Sequence, residues 1–333
     1  MSVALLATLV VTLISRAAAA QDEVVMRAAE QLLRADTSLR RIWPGFWSTG
    51  PVVALGPFKG GTLVVHGDGK ALGLASSPWQ GSSPSVFRGR VSTNATPGPS
   101  AAFDLFAEVG GRAMVSVQAF GTLAPFRDHS ELVPWTHDSG ATLVATAIHE
   151  SFHLHQWSHF EPLPGQPFWS ANTQPTQPYR SWLDSSWVRD ALSAERASLK
   201  TALDQSNCNS LMDIVKQYDE QRADRLRRMP PPFKPYEDAH ERAEGIANWI
   251  GYIGLQYAAP NMLRDAEAVV AHDLHYPYLD SGGTAYRGWD AYALYHLYVV
   301  GAAKSAMLYR CGPKDWTTRI EKGEDLEHVL VRR

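Results

Sequence analysis

Apolar and polar positions change rhythm several times along the chain. Val3–Ile14 is an unbroken apolar run. Over Asp22–Ile42 the apolar residues Val24, Val25, Ala28, Leu32 and Leu33 recur at helical spacing, which predicts an amphipathic helix that Trp43-Pro44-Gly45-Phe46-Trp47 breaks. From Pro51 to about Gly121 short apolar stretches alternate with Gly-rich turns. Val52–Leu55, Thr62–His66, Ala71–Ala75, Ser85–Val91, Phe103–Val109 and Arg112–Phe120 are the candidate strands, and Ser92–Ser100 reads as a surface loop. From Ser139 the pattern is helical, over Gly140–Trp157, Ser185–Ser206, Asn209–Arg228, Tyr236–Tyr257, Leu263–His272 and Gly288–Tyr309, and it closes in a short charged tail. Glu161–Tyr179, with five prolines, cannot form a regular element and reads as a loop that could roof or rim a cleft. The expected architecture is α+β, with an N-terminal helix and a small antiparallel β region (residues 21–135) followed by a mainly helical region (136–333).

The apolar run near the start is followed by Ser15-Arg16, then Ala17–Ala20, then Gln21-Asp22-Glu23. This pattern reads as a secretory signal over residues 1–20 with cleavage after Ala20, although Arg16 and the lack of a basic residue before the run leave an uncleaved anchor open. The run is short for a bilayer span, and no other stretch is long enough. The expected location is periplasmic or extracellular. Only two cysteines occur, Cys208 and Cys311, so one disulfide is the reading in an oxidising compartment, with two ordinary buried thiols as the alternative. Asn94-Ala95-Thr96 is a glycosylation sequon, relevant only to a eukaryotic export route. A net charge of −3 forces no basic face and argues against a nucleic-acid partner. The run Arg222–Arg228 is locally basic but interrupted by Asp224, and it reads as a solvated helix face.

The chemistry concentrates in Ala141–His159, which contains His149-Glu150-Ser151-Phe152-His153, an H-E-x-x-H string. With 12 histidines in the chain, chance placement yields such a string only about 0.02 times. On a helix His149 and His153 stand one turn apart on one face and can reach one metal ion, while Glu150 is placed to touch a water on that ion. The eight residues before His149 carry no charge, which suits a buried helix. Zinc in a catalytic site takes three protein ligands and leaves one position for water. His159 has the metzincin spacing, but Gln156 stands where that pattern has glycine, so His159 reads as a surface histidine.

A second string, Glu244-Gly245-Ile246-Ala247-Asn248-Trp249, lies in a predicted helix. Here the chain resembles the gluzincins, zinc metallopeptidases whose third ligand is a Glu on a second helix, and within them the aminopeptidase branch. The likeness covers these two segments only. It implies His149, His153 and Glu244 as zinc ligands, Glu150 as general base, a zincin-like catalytic region and a peptide or protein substrate. The small Gly245 and Ala247 are expected to let the two ligand helices approach. The chain departs from the pattern in the long separation between the two strings and in Asn248, where an acidic residue often orients a zinc-bound His. Glu241 is the rival third ligand. The oxyanion donor is sought among Tyr286, Tyr292, Tyr295, His296 and Tyr298. Two other readings stand beside a secreted zinc hydrolase: an exported zinc-binding protein without activity, and a structural or ligand-binding protein in which the string is incidental. Substrate identity and oligomeric state are not readable.

Overall fold

The computed structural model describes residues 3–47, 52–58, 61–65, 86–89, 103–109, 112–118, 139–166, 180–275 and 292–331. The candidate strand Ala71–Ala75, the loop with Asn94, most of the proline-rich segment and Tyr286 lie outside them. The described chain is mainly helical. Among its residues no helix is long and apolar enough to cross a membrane. Two compact units gather, respectively, residues from Met1–Arg41, Gly45–Leu154 and Gly254–Arg264, and from Ile42–Pro44, His155–Ile253 and Asp265–Arg333.

In the first unit helix α1 runs over Val3–Ile42. Of the predicted stripe Val25, Ala28 and Leu32 are buried, joined by Ala29, Ala35, Leu39 and Ile42, while Val24 and Leu33 are only half-buried at its margin. Among the described residues five strands follow: β1 Val52–Phe58, β2 Gly61–Val65, β3 Val86–Gly89, β4 Phe103–Val109 and β5 Arg112–Gln118. They form one sheet in the order β3-β2-β1-β5-β4. The expected antiparallel region is corrected in one respect. The pairs β1·β2, β2·β3 and β4·β5 are antiparallel, but β1 and β5 pair in parallel, so the sheet is mixed. The antiparallel pairs β1·β2 and β4·β5 join through β1 and β5, which run the same way.

Helix α2, Ser139–His159, carries the H-E-x-x-H string. Every residue from Ala141 to Ile148 is buried, as an uncharged run requires. Gly254 permits a close approach here: a Cβ on it would meet Ile148 Cδ1 at 2.8 Å and Leu39 Cδ2 at 3.0 Å. Phe46 packs edge-on against both Trp47 and Phe152, with ring centroids 5.2 and 5.0 Å away.

The second unit is built on α3 Ser186–Leu203, α4 Cys208–Arg228, α5 Phe233–His240, a π-turn at Glu241–Gly245, α6 Ile246–Ala258, α7 Ala266–His275, a second π-turn at Tyr292–His296 and α8 Leu297–Cys311. The expected charged tail is instead two short helices, α9 Trp316–Glu321 and α10 Leu326–Val331, because Trp316, Ile320, Leu326, Val329 and Leu330 are buried. Asn207 caps α4 by accepting from the Ser210 N–H at 2.8 Å. Cys208 and Cys311 form a disulfide between the start of α4 and the end of α8, with Cα atoms 5.5 Å apart.

Arg222–Arg228 is not a solvated face. Arg222 and Arg225 continue the buried stripe of Leu211, Val215 and Tyr218, while Arg227 and Arg228 are exposed on the other side. Arg225 donates to Glu195 Oε1 at 2.6 Å and to Glu237 Oε1 at 2.6 Å. Arg222 donates to Asp238 Oδ1 at 3.0 Å, Glu241 Oε1 at 3.3 Å and Glu327 Oε2 at 2.5 Å. Lys304 of α8 completes the cluster on Glu241 Oε2 at 2.6 Å and Glu327 Oε2 at 3.2 Å. A buried guanidinium is tolerable only with such partners. Five helical segments, α3, α4, α5 with its π-turn, α8 and α10, are pinned to one another by charge.

Two predictions follow from this packing. A Cβ on Gly301 would meet Gly245 Cα at 2.7 Å and the Glu241 carbonyl carbon at 2.9 Å, both backbone atoms that cannot yield. Gly301→Ala should therefore cost about 1–3 kcal/mol, read as a lowered denaturant midpoint. The second concerns Asp219, which hydrogen-bonds Glu327; that bond, burial and the Glu327 charge together push its carboxyl up to about 7. Between its ordinary range and that value the folded chain keeps a proton the unfolded chain has released, so stability falls as pH rises through the window and levels off above it. Asp219→Asn keeps a neutral partner for Glu327. Its unfolding temperature should gain on that of wild type as pH is raised from about 5 to 8, and a constant difference between the two would contradict the assignment.

Candidate metal centre

The α2 helix holds His149 and His153 one turn apart, with their rings 4.8 Å between centroids and their Nε2 atoms 3.1 Å apart. Both are buried, as is Glu150, whose Oε2 lies 4.0 Å from His153 Nε2. One ligand atom from each of His149, His153 and Glu244 lies within 4.8 Å of the others. Among the described residues this is the group of His and acidic side chains suited to hold a metal ion. The donor set fits zinc in kind, two imidazoles and a carboxylate. It also fits in spacing: ligand bonds of about 2.0–2.1 Å in a tetrahedron put neighbouring donors about 3.3 Å apart, close to the separation of the two imidazole nitrogens.

The rival third ligand, Glu241, is committed elsewhere. It is buried between Lys304 and Arg222, and burial pushes its carboxyl up while those two cations pull it down. The π-turn separates the roles of the two glutamates. In an α-helix, residues three apart share a face. The wider i→i+5 turn over Glu241–Gly245 swings Glu244 further round the axis, so Glu241 can face the ionic cluster while Glu244 does not. Gly245 does not act as expected. Its neighbour is the Gly301 backbone of α8, where a Cβ would meet the carbonyl carbon at 2.6 Å, so it admits α8.

Gln156, fully buried on α2, donates its side-chain amide to Ala243 O at 2.9 Å and to Arg242 O at 3.3 Å. His159 is exposed, bonds through Nδ1 to the His155 carbonyl at 3.0 Å and stacks on the His155 ring; it is absent from the metal group. His155 itself faces Glu321, its Nε2 2.9 Å from Oε1, and the same oxygen accepts from Trp43 Nε1 at 2.7 Å. Burial, with the neighbouring His159 adding to it, holds the His155 pKa below its ordinary value against the pull of Glu321.

Of the expected oxyanion donors, Tyr292 donates a hydrogen bond from its hydroxyl to Glu237 inside the ionic cluster, and His296 is buried beside Arg196, with its pKa driven well below normal by burial and by the Arg196 charge. Both are structural. Tyr298 packs 5.6 Å from the His240 ring, which stacks on Tyr236 at 5.2 Å. Burial raises the Tyr236 hydroxyl, with Arg180 acting against that shift and Glu244 adding to it, so Tyr236 sits within electrostatic reach of both. Tyr236, His240 and Arg180 carry no motif. The cue for His240 is its place one turn before Glu244. Asn248 bonds the Tyr252 hydroxyl, which donates to Asp273 Oδ2 at 3.0 Å.

Comparison of the chain with protein-family models, with curated proteins and with solved structures found no match.

The two glutamates should separate cleanly on substitution. Glu241→Gln removes one partner of a buried ionic cluster and should cost about 3–5 kcal/mol. Glu244→Gln should stay within about 1 kcal/mol of wild type. Chemical denaturation of both variants checks this, and equal losses would contradict the assignment of Glu241 to the cluster.

Proposed function

We propose that this protein is an exported zinc-dependent hydrolase, a metallopeptidase of zincin-like, gluzincin type, with His149, His153 and Glu244 as ligands and Glu150 as general base. The observation that carries the reading is the convergence of one ligand atom from each of those three side chains, with Glu150 beside them. The Cys208–Cys311 disulfide supports export, because such bonds persist in oxidising compartments. Bound there, zinc supplies a Lewis acid that brings the pKa of water toward about 7.

The chain's own residues do the rest. The two histidines, held on successive turns of a buried helix, bind as neutral imidazoles. Glu150 is shielded from bulk solvent on the same helix, so its carboxylate can take a proton from the attacking water and pass it to the leaving amine. Tyr236, whose hydroxyl feels the charges of Arg180 and Glu244, is the hydroxyl we assign to an oxyanion. Peptides are the substrate class because the two ligand strings resemble those of peptidases.

Purified protein should contain one zinc per chain by elemental analysis, and His149→Ala, His153→Ala and Glu244→Ala should each lower that content. A chelator should abolish cleavage of a mixed peptide library. Glu150→Gln should keep zinc and fold yet lose about 10²- to 10⁴-fold in activity. Zinc bound without any peptide cleaved would favour a binding protein. Metal content that is nil, or unaffected by His149→Ala, would sink the metal centre altogether.

A further inference from the structure

Three residues after His153 on α2, Gln156 is fully buried, yet it points its amide at main chain rather than at another side chain. Its two acceptors are the carbonyls of Arg242 and Ala243, inside the π-turn, and Ala243 immediately precedes Glu244. A π-turn shifts the backbone hydrogen-bond register from i+4 to i+5, and a carbonyl has two lone pairs: Ala243 O accepts from the Ile246 N–H and from Gln156 as well. A glutamine amide has two N–H groups and can serve two carbonyls at once. Among the natural side chains of this length, Glu offers no donor in its ionised form and Met none at all.

We infer, on the basis of the metal-centre reading above, that Gln156 is a positioning residue for Glu244: it clamps the π-turn to the helix that carries His149 and His153, and so fixes the rotation at which the Glu244 carboxylate meets the two imidazoles. It touches neither metal nor substrate. The other side of the same turn rests on Gly301, where backbone meets backbone, so the turn is held from two directions. Groups that orient ligands without binding the ion typically change metal affinity by about 10–100-fold when removed.

The test is a double-mutant cycle read by zinc affinity. Zinc Kd would be measured by chelator competition for the full chain as wild type, Gln156→Met, Glu244→Ala and the double variant. Gln156→Met should weaken zinc by about 10–100-fold in the wild-type background and by less than about threefold when Glu244 is already gone, because the clamp then has nothing to place. Leu211→Ala, a core truncation in α4, controls for lost stability: it should lower the unfolding temperature but leave zinc affinity unchanged. Gln156→Asn, whose amide is one methylene short, replaces Gln156→Met if that variant does not fold. An equal loss in both backgrounds, or no loss, overturns the positioning role while the metal centre stands. Wild type that binds no zinc overturns both.

Discussion

Arg222 and Arg225 are the charges that the second unit must accommodate. Two guanidiniums on the buried stripe of α4 would be prohibitively costly without counter-charges, and four glutamates from α3, α5, the π-turn and α10 supply them. Lys304 adds a third cation from α8. Arg222, Arg225 and Lys304 face Glu195, Glu237, Asp238, Glu241 and Glu327, so acids outnumber cations in the cluster. Asp219 beside Glu327 has its carboxyl pushed up by their shared hydrogen bond, by burial and by the Glu327 charge, with Lys304 and Arg222 pulling the other way. Because Glu237 and Glu241 belong to the same helical run as Glu244, the cluster sets the rotation of the segment that carries the third candidate ligand.

Gln156 and the π-turn complete that setting. The absence of glycine at position 156 reads, in the sequence, only as a departure from one metal-binding pattern. In the fold it is a positive feature: a side chain that reaches the carbonyls of Arg242 and Ala243. The same turn lets two glutamates three positions apart take different surroundings, Glu241 locked among cations and Glu244 left as the candidate ligand.

The α2 helix was legible because its signal is local: an uncharged run, then two histidines at helical spacing. The apolar stripe of α1 and the positions of β1, β2, β4 and β5 were legible for the same reason. The parallel pairing of β1 with β5 was not, since strand patterns record alternation and say nothing about partners. Arg222 and Arg225 were misread because a charge run suggests solvent. The counter-signal was present in their place on the Leu211–Val215–Tyr218 stripe, but their partners lie on other helices. The π-turns leave no compositional mark, and the closing helices α9 and α10 are too short for periodicity to stand out among their charges.

Why a buried ionic cluster and not a plain apolar core at this position? Removing one partner from such a cluster is costly, yet replacing a whole cluster with well-packed apolar side chains is often neutral or stabilising. Stability alone therefore does not account for it. Geometry does. Apolar side chains can pack at several rotations of a helix about its axis, whereas a carboxylate held between a guanidinium and an ammonium accepts one. Glu241, pinned by Arg222 and Lys304, fixes the start of the π-turn; Gln156 fixes its middle; and the Gly245–Gly301 contact leaves its end no room to slide. A metal ligand needs its rotation defined to a fraction of an ångström, and these three constraints act on consecutive parts of the five-residue segment that contains the proposed ligand Glu244.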